Sequence, residues 1–291
     1  MNISHISPSP LPLSASNYRE TMIGHLLLEM GKITPEQIER TLQLQSKEGL
    51  RFGEAARKLG FVTQEDIQRA LAIQFDYPYL PADQSHFSKE LVAAYQPFSP
   101  QVEALRALRS QVSLRWLNTG NKALAVISAN PGEGCSYLAA NLAVVFSQLG
   151  EETLLIDANL RQPAQRSMFS LRKAQGLSDI LIGRAGVDVI SRIDALSNLS
   201  VLGAGPAPPN PQELLNRKNL ADLLRLVQEI YDVVIIDTPP ATLTSDAQAV
   251  ATRCGGALLV SRLNATPLSD LANVQDQLLV SDVQIVAAVL L

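Results

Sequence analysis

Residues 126–137 read Val-Ile-Ser-Ala-Asn-Pro-Gly-Glu-Gly-Cys-Ser-Tyr. This stretch lies between a short apolar run of strand type, 123–127, and a segment with apolar residues at helical spacing, 137–148. Small residues between a strand and a helix let the backbone fold around an anion with its amides pointing inward, and the helix start adds partial positive charge. The stretch therefore predicts a phosphate-binding loop.

The loop departs from its usual pattern at one residue. The pattern (A/G)xxxxGK(S/T) fits from Ala129 to Ser136, except that Cys135 replaces the lysine that reaches the phosphates. Ser136 keeps the hydroxyl that such loops offer to magnesium. A thiol near a helix start can have a lowered pKa and be anionic, and the alternative is a neutral small side chain. The predicted nucleotide-binding residues of the loop are Pro131, Gly132, Glu133, Gly134, Cys135, Ser136 and Tyr137.

Composition excludes several classes of protein. The chain of 291 residues is 46% apolar and 18% charged, so it can bury a core. A net charge of −4 gives no basic surface for nucleic acid. Two cysteines are too few for a disulfide framework and fit a reducing compartment. Because no apolar run reaches the roughly 18 residues of a membrane span, we expect a cytoplasmic protein.

Strand-like apolar runs alternate with segments of helical spacing through the second part of the chain. Such alternation predicts an α/β fold, with a parallel sheet covered by helices on both faces and ligands bound beyond the carboxyl ends of the strands. A helix is expected to begin near Pro100, and another is predicted over 212–230. The predicted strands are 123–128, 153–156, 199–202, 233–236, 257–260 and 284–290.

Two aspartates follow strands of this predicted sheet. Asp157 follows 153–156, and Asp237 follows 233–236. An aspartate that ends an apolar strand beside a phosphate loop is placed to hold magnesium, directly or through water. The sequence therefore predicts a Mg²⁺ site made of Ser136, Asp157 and Asp237. Arg161, four residues after Asp157, is a candidate cation for the nucleotide phosphates.

The first part of the chain contains an internal duplication. Residues 22–45 align without gaps on 51–74, and the alignment pairs glycine with glycine at two positions and Thr34 with Thr63. Each threonine opens a capping box, so each unit predicts a helix, a glycine stop and a second capped helix. The predicted organisation is a disordered lead over 1–17, a duplicated helical domain over 18–80, a linker over 81–99 and an α/β domain over 100–291.

The duplicated domain resembles the N-terminal domain of type II secretion and type IV pilus assembly ATPases, some of which bind cyclic di-GMP. The family's units begin Arg-Leu-Gly, and the second unit here begins Arg51-Phe52-Gly53. The first unit begins Met22-Ile23-Gly24 and lacks the arginine that could bond phosphate or guanine in a bidentate manner. The resemblance implies a cyclic dinucleotide site at Arg51, Phe52 and Gly53, and the alternative is a structural or partner-docking module.

Residues 97–291 resemble the bacterial tyrosine kinases of exopolysaccharide and capsule synthesis. The resemblance rests on the loop, on Leu-Leu-Ile-Asp-Ala-Asn-Leu-Arg at 154–161, on the strand before Asp237, on Gly-Leu-Ser-Asp at 176–179 and on 208–215. It also includes an ExxRxxR helix through which such kinases assemble into rings, here Glu103, Arg106 and Arg109. Charges at this spacing share one helix face.

This resemblance implies a component of chain-length control that uses ATP and Mg²⁺. Asp157 and Asp237 would be the catalytic residues, positioning the metal, with Asp157 activating a tyrosine hydroxyl. The implied partners are further copies of the chain and a membrane-embedded polysaccharide co-polymerase, which would recruit the protein to the inner membrane.

Three departures from the family pattern bear on activity. Cys135 replaces the lysine, Asn159 replaces the second aspartate of Asp-x-Asp, and no tyrosine follows Tyr231. The family would also carry a further short segment after Leu291. Two hypotheses follow: an ATP-dependent tyrosine kinase with a degenerate loop, or a pseudokinase scaffold that regulates the co-polymerase. A partition-type ATPase is weaker, because its second signature lysine is Asn130 here.

Overall fold

The computed structural model describes residues 23–75, 80 and 86–291. The chain divides into two compact units between residues 77 and 78, and each unit has its own hydrophobic core. The predicted lead, 1–17, lies outside the described residues.

The first unit consists of helices arranged as the duplication predicts. A first helix, α1, covers 23–29, and three more follow: α2 (Pro35–Glu48), α3 (Phe52–Lys58) and α4 (Gln64–Gln74). Gly31 and Gly60 stop the first helix of each repeat in left-handed conformations, with φ of 66° and 71°. Thr34 and Thr63 cap the second helices, and each cap is a reciprocal capping box as predicted.

Two paired glycines of the duplication let these helices approach closely. A Cβ on Gly24 would lie 3.1 Å from the ring of Phe52, and a Cβ on Gly53 would lie 3.3 Å from Ile67. Phe52 is the largest fully buried side chain of this core. The Phe52-Gly53 pair is therefore explained by packing alone.

The second unit is built around a sheet of seven strands in the order β3-β4-β2-β5-β1-β6-β7. All neighbours are parallel except β3, which pairs antiparallel with β4. The strands are β1 (Ala123–Ser128), β2 (Thr153–Asp157), β3 (Ser191–Arg192), β4 (Leu199–Leu202), β5 (Val233–Asp237), β6 (Gly256–Ser261) and β7 (Gln284–Leu290). The α/β prediction is confirmed, and β3 is the strand that the sequence pattern did not predict.

Nine helices are described in the second unit: α5 (Val92–Tyr95), α6 (Pro100–Arg115), α7 (Cys135–Ser147), α8 (Gln165–Met168), α9 (Leu177–Leu181), α10 (Pro211–Asn216), α11 (Lys218–Ile230), α12 (Asp246–Cys254) and α13 (Leu268–Val280). α6 begins at Pro100 as predicted, with Ser99 as its cap. The single helix predicted over 212–230 is wrong, because Arg217 adopts an extended conformation, with ψ of 156°, and separates α10 from α11.

The inner strands β1, β2, β4 and β5 are buried on both faces. Alternate residues of β1 face two different cores: Leu124 and Val126 pack with α6 and α7, and Ala125 and Ile127 pack with α11, α12 and α13. Strands buried on both faces read as continuous apolar runs, which is why the sequence located them.

The predicted linker, 81–99, needs correction over its described part, 86–99. Leu91, Ala93 and Ala94 are fully buried in the core of the second unit. Two side chains bind the main chain of Ala93, whose N–H donates to Asn141 Oδ1 of α7 and whose carbonyl oxygen accepts from Nε2 of Gln148, the residue after α7, each at 2.9 Å. The linker was predicted because the segment contains several prolines, but its described part packs on the α/β unit.

Candidate functional site

The loop between β1 and α7 has the shape that phosphate binding needs. Gly132 and Gly134 have φ of 78° and 89°, so both positions favour glycine. Gly134 is the residue immediately before α7 and leaves the first amides of that helix open. The loop therefore forms a loop-to-helix cradle at the carboxyl end of β1, and phosphate binding there stays a prediction.

Glu133, predicted as a nucleotide contact, shapes the loop. Its carboxylate is buried and accepts from the main-chain N–H of Asn130 at 2.9 Å and from the hydroxyl of Thr266 at 2.7 Å. Asn130 in turn donates from its side chain to Asp270 at 2.8 Å. Glu133 therefore fixes the loop against the segment that follows β6.

The thiol of Cys135 points into the structure that supports the loop. Sγ donates to the carbonyl oxygen of Val126 at 3.1 Å and lies 3.6 Å from that of Thr238. Burial, and secondarily the neighbouring Asp237, raises the pKa of the thiol well above its ordinary value. The alternative of an anionic thiol is wrong, because a desolvated thiol beside a carboxyl group stays neutral.

The structure brings Asp157 and Asp237 together. They are register partners at the ends of β2 and β5, and both are fully buried. Asp157 accepts from three main-chain N–H groups, those of Asn159 at 3.1 Å, Ala164 at 3.0 Å and Gln165 at 2.9 Å. Burial and the charge of Asp237 raise the pKa of Asp157 to about 8, which the three hydrogen bonds only partly oppose.

Asp237 has one oxygen bonded and one oxygen open. Oδ2 accepts from Gln165 Nε2 at 2.8 Å, whereas Oδ1 is buried and has no hydrogen-bond partner among the described residues. Burial raises the pKa of this carboxyl group, and the polar side chains of Gln165, Ser136 and Cys135 counter that effect in part. An open buried carboxylate oxygen beside the Ser136 position fits a hard cation such as Mg²⁺, which prefers oxygen ligands.

Gln165 is a site residue that sequence reasoning missed. It is fully buried at the start of α8, and its side chain also donates to the main-chain oxygen of Ser136 at 3.1 Å. A glutamine in a polar stretch gives no sequence signal of burial. Its contacts appear only when β2, β5 and α7 are assembled.

Arg161 is close to the site but is already paired. Its Nε lies 2.9 Å from Oδ2 of Asp246, a carboxylate with 1% of its surface exposed at the start of α12. A second cation, Arg262, donates from NH1 to the Gly132 carbonyl oxygen at 3.1 Å, and the sequence analysis did not single it out. A nucleotide phosphate would therefore have to compete with the buried Asp246 carboxylate for the Arg161 guanidinium.

Two cavities border the loop. A cleft of about 340 Å³ is lined by residues that include Cys135, Ser136 and Asn159. A larger, more apolar cavity of about 730 Å³ lies between α6, the loop and the end of β7. Tyr137 borders both cavities, and burial together with the charge of Glu90 raises the pKa of its phenol.

Asn159 serves as a turn residue in the cleft wall. Its side-chain oxygen accepts from the main-chain N–H of Gln162 at 3.0 Å, and its own N–H donates to Asp157. An amide keeps the hydrogen bond that an aspartate could make here but supplies no negative charge.

The three charged residues predicted for ring assembly lie on α6 with different environments. Arg106 donates to Glu103 at 2.9 Å and to the Pro97 carbonyl oxygen, and Arg109 donates to the Val145 carbonyl oxygen at 2.8 Å. The side chain of Glu103 is 74% exposed. Both arginines thus contact their own chain, and the ring contact stays a prediction.

The three residues predicted for a cyclic dinucleotide do not share one surface. Arg51 is exposed just before α3, whereas Phe52 and Gly53 are buried in the helical core. Only Arg51 of the three can present its side chain to a ligand without rearrangement of that core.

Among the described residues, no helix is both long and apolar enough to cross a membrane. The same residues contain no cluster of three or more histidine, cysteine or acidic side chains placed to hold a metal ion. A magnesium ion here would therefore depend on one or two carboxylates, a hydroxyl, and ligands from substrate or water, which is the usual manner of Mg²⁺.

Comparisons with known proteins give bacterial tyrosine-protein kinases as relatives. No protein-family model matches the chain. Tyrosine-protein kinase YwqD of Bacillus subtilis is 34% identical over 206 residues, which are 71% of this chain and 87% of YwqD. A Klebsiella pneumoniae protein whose name places a tyrosine-protein kinase in the cps region is 36% identical over 174 residues, 60% of this chain and 24% of that protein.

A solved structure agrees with these relatives. The kinase domain of the Escherichia coli tyrosine kinase ETK superposes with a TM-score of 0.68 at 31% identity, covering 72% of this chain and 83% of that domain. The full-length E. coli tyrosine-protein kinase etk is 32% identical, and the chain spans 29% of it. The chain thus spans most of YwqD but only about a quarter of the longer relatives. Identity of 34% across 87% of YwqD, on the fold of a kinase domain, shows that the chain belongs to the bacterial tyrosine-protein kinases.

Proposed function

We propose that the chain is an ATP-binding, tyrosine-kinase-like component of exopolysaccharide or capsule synthesis. The observation that carries the proposal is the open, buried Oδ1 of Asp237 beside an intact glycine loop. In this proposal the loop amides and the start of α7 hold the phosphates, and Ser136 and Asp237 hold Mg²⁺.

Asp157 takes an outer role in this arrangement. A carboxylate has about four lone-pair sites, and three of those on Asp157 already accept main-chain N–H groups. One site on Oδ1 is left for a magnesium-bound water or a tyrosine hydroxyl. In this proposal Asp157 uses that site as the general base that takes the proton of the tyrosine hydroxyl.

A pseudokinase is the second candidate, and the states of Cys135 and Arg161 favour it. Cys135 is neutral, and Arg161 is bound to the buried Asp246. Loss of a charged phosphate contact costs about 1.5–3 kcal/mol, or roughly tenfold to a hundredfold in affinity. The loss in rate is larger where the cation stabilises the transition state. In this proposal the nucleotide site acts as a regulatory binding site on a scaffold.

The proposed partners follow from the family. The Klebsiella relative is named for a cps region, which supports a role in polymer synthesis. We propose that the protein works in the cytoplasm and is recruited to the inner membrane by a membrane-embedded polysaccharide co-polymerase. Self-assembly would use the exposed Glu103 with Arg106 and Arg109 on α6.

The helical unit, proposed as a separate domain over 18–80, would carry the regulatory input. Its resemblance to the N-terminal domain of secretion and pilus ATPases supports a docking or cyclic di-GMP role, in which Arg51 would supply the phosphate contact. Titration of the full chain with cyclic di-GMP tests this role. The absence of heat for wild type, or equal heat for wild type and Arg51→Ala, would remove it.

Calorimetry and phosphotransfer together test the main proposal. Binding of ATP with Mg²⁺ to the full chain is measured first, and phosphotyrosine is then measured by mass spectrometry for wild type and Asp157→Asn. No nucleotide binding by wild type contradicts the proposed site. Phosphotyrosine that forms with wild type and is lost with Asp157→Asn contradicts the scaffold and supports the kinase.

A further inference from the structure

Gln165 contacts all three residues predicted to hold magnesium. Its Nε2 donates to Asp237 Oδ2 at 2.8 Å and to the Ser136 main-chain oxygen at 3.1 Å. Its main-chain N–H donates to Asp157 Oδ2 at 2.9 Å. With its side chain fully buried, Gln165 joins the carboxyl ends of β2 and β5 to the first turn of α7.

The orientation of the Gln165 amide is fixed by its partners. An amide NH₂ has two hydrogens, and both are directed at oxygens, one from Asp237 and one from Ser136. The reversed amide would set its own oxygen against those two acceptors. Gln165 Oε1 is consequently left without a donor among the described residues, as is Asp237 Oδ1.

We propose that Gln165 is the positioning residue of the metal site. Its side chain holds one oxygen of Asp237 and the main chain of Ser136, so that Asp237 Oδ1 faces a divalent cation shared with the Ser136 hydroxyl. The inference rests on the proposed function, because it assigns a role in binding Mg²⁺ with ATP. Gln165 itself acts through Asp237 and Ser136.

One physical effect gives Gln165 this role. The terminal torsion of an aspartate is soft, and Mg²⁺ requires near-ideal octahedral geometry, so fixing Oδ2 reduces the freedom of Oδ1. The second hydrogen bond from the same amide fixes the main chain of Ser136, so both proposed ligands are held by one side chain.

The test compares Gln165→Leu with Gln148→Leu in the full chain. Gln148 is a matched control, since it also donates from its side chain to a main-chain oxygen, that of Ala93, at 2.9 Å, away from the cleft. ATP binding is measured by calorimetry with excess Mg²⁺ and again in EDTA. For Gln165→Leu we expect the affinity with Mg²⁺ to fall about tenfold and the affinity in EDTA to change by less than about twofold.

The difference between the titrations with Mg²⁺ and in EDTA is a readout that a purely structural role would not move. Gln165→Asn keeps the amide on a shorter side chain and should lower the affinity with Mg²⁺ to a smaller extent than Gln165→Leu. Thermal unfolding verifies that each variant folds, and Gln165→Asn carries the comparison if Gln165→Leu does not fold.

Three outcomes would overturn the inference. Equal losses with Mg²⁺ and in EDTA would mean that Gln165 only stabilises the fold. Unchanged binding with Mg²⁺ in Gln165→Leu would mean that Asp237 needs no positioning. If wild type binds no ATP in either condition, the proposed function and this inference both fail. The wild-type titration alone shows that result, whereas the first two outcomes concern only the role of Gln165.

Discussion

Asp157 and Asp237 stand opposite each other as register partners on adjacent parallel strands, and the charge of Asp237 contributes to the raised pKa of Asp157. The pKa of each carboxyl group is raised, that of Asp157 to about 8. The folded chain therefore holds protons that the unfolded chain releases above about pH 4. As the pH rises from about 4 to about 8, this pair progressively lowers the free energy of unfolding.

Replacing Asp237 with asparagine should stabilise the nucleotide-free chain. The substitution removes one buried acid and keeps an oxygen for Gln165, so we expect a gain of about 1–2 kcal/mol at pH 8, or roughly 2–8 °C in Tm. The gain should be smaller at pH 5, where Asp157, whose pKa is about 8, holds its proton and carries no charge to oppose that of Asp237. Calorimetric unfolding at both pH values measures it, and equal destabilisation at both would contradict the coupling.

Restoring the lysine should strengthen phosphate binding. Cys135→Lys adds a cation at the loop and should raise the affinity for ATP with Mg²⁺ by roughly tenfold to a hundredfold. Cys135→Met is the matched control, because it adds comparable length without charge. The lysine must leave the position of the thiol against Val126 to reach the cleft. An increase shared by both variants would assign the effect to packing, and calorimetry separates the two results.

The sequence predicted the sheet well because buried parallel strands are continuous apolar runs. All six predicted strands form, whereas the two-residue β3 is too short to carry a pattern. The loop and both aspartates were located for the same reason, since they follow such strands. The chemistry of the loop and the two aspartates stays a prediction.

The partners of the site residues could not be predicted from the sequence. Gln165 and Asp246 belong to different segments, and their burial depends on how α8 and α12 close over the strand ends. Asn141 carried a weak signal, as a polar residue within the apolar run from Leu138 to Phe146, and it binds the Ala93 main chain. Pairing of Arg161 with Asp246 joins residues far apart in the chain, and no local pattern predicts such a contact.

The capping threonines should account for much of the stability of the helical unit. The Thr63 hydroxyl accepts from the Asp66 N–H at 3.1 Å, and the Thr63 N–H donates to the Asp66 carboxylate at 3.0 Å. Thr63→Ala should cost about 1 kcal/mol, and Thr63→Ser should cost much less because the hydroxyl is retained. Amide hydrogen exchange over α4 measures the change locally. Equal protection in Thr63→Ala and wild type would show that the cap does not hold this helix.

Assembly through α6 can be tested by substituting its exposed residue, Glu103, and its hydrogen-bonded residue, Arg106, one at a time. Glu103 is 74% exposed, whereas the side chain of Arg106 is 20% exposed and is bonded to the Pro97 carbonyl oxygen. Arg106→Ala should therefore lower the stability of the monomer by about 1 kcal/mol, a drop of roughly 2–4 °C in Tm. Glu103→Arg should leave Tm nearly unchanged, because exposed ion pairs contribute little.

The two substitutions differ in what they report about self-association. If α6 contacts another copy, Glu103→Arg places a like charge against the partner's basic residues and should shift the sedimentation profile toward the monomer without unfolding the chain. Arg106→Ala weakens both the fold and the contact, so it cannot distinguish them alone. Analytical ultracentrifugation of Glu103→Arg beside wild type decides the matter. If wild type associates and Glu103→Arg gives the same sedimentation profile, the contact between copies does not involve the Glu103 face of α6.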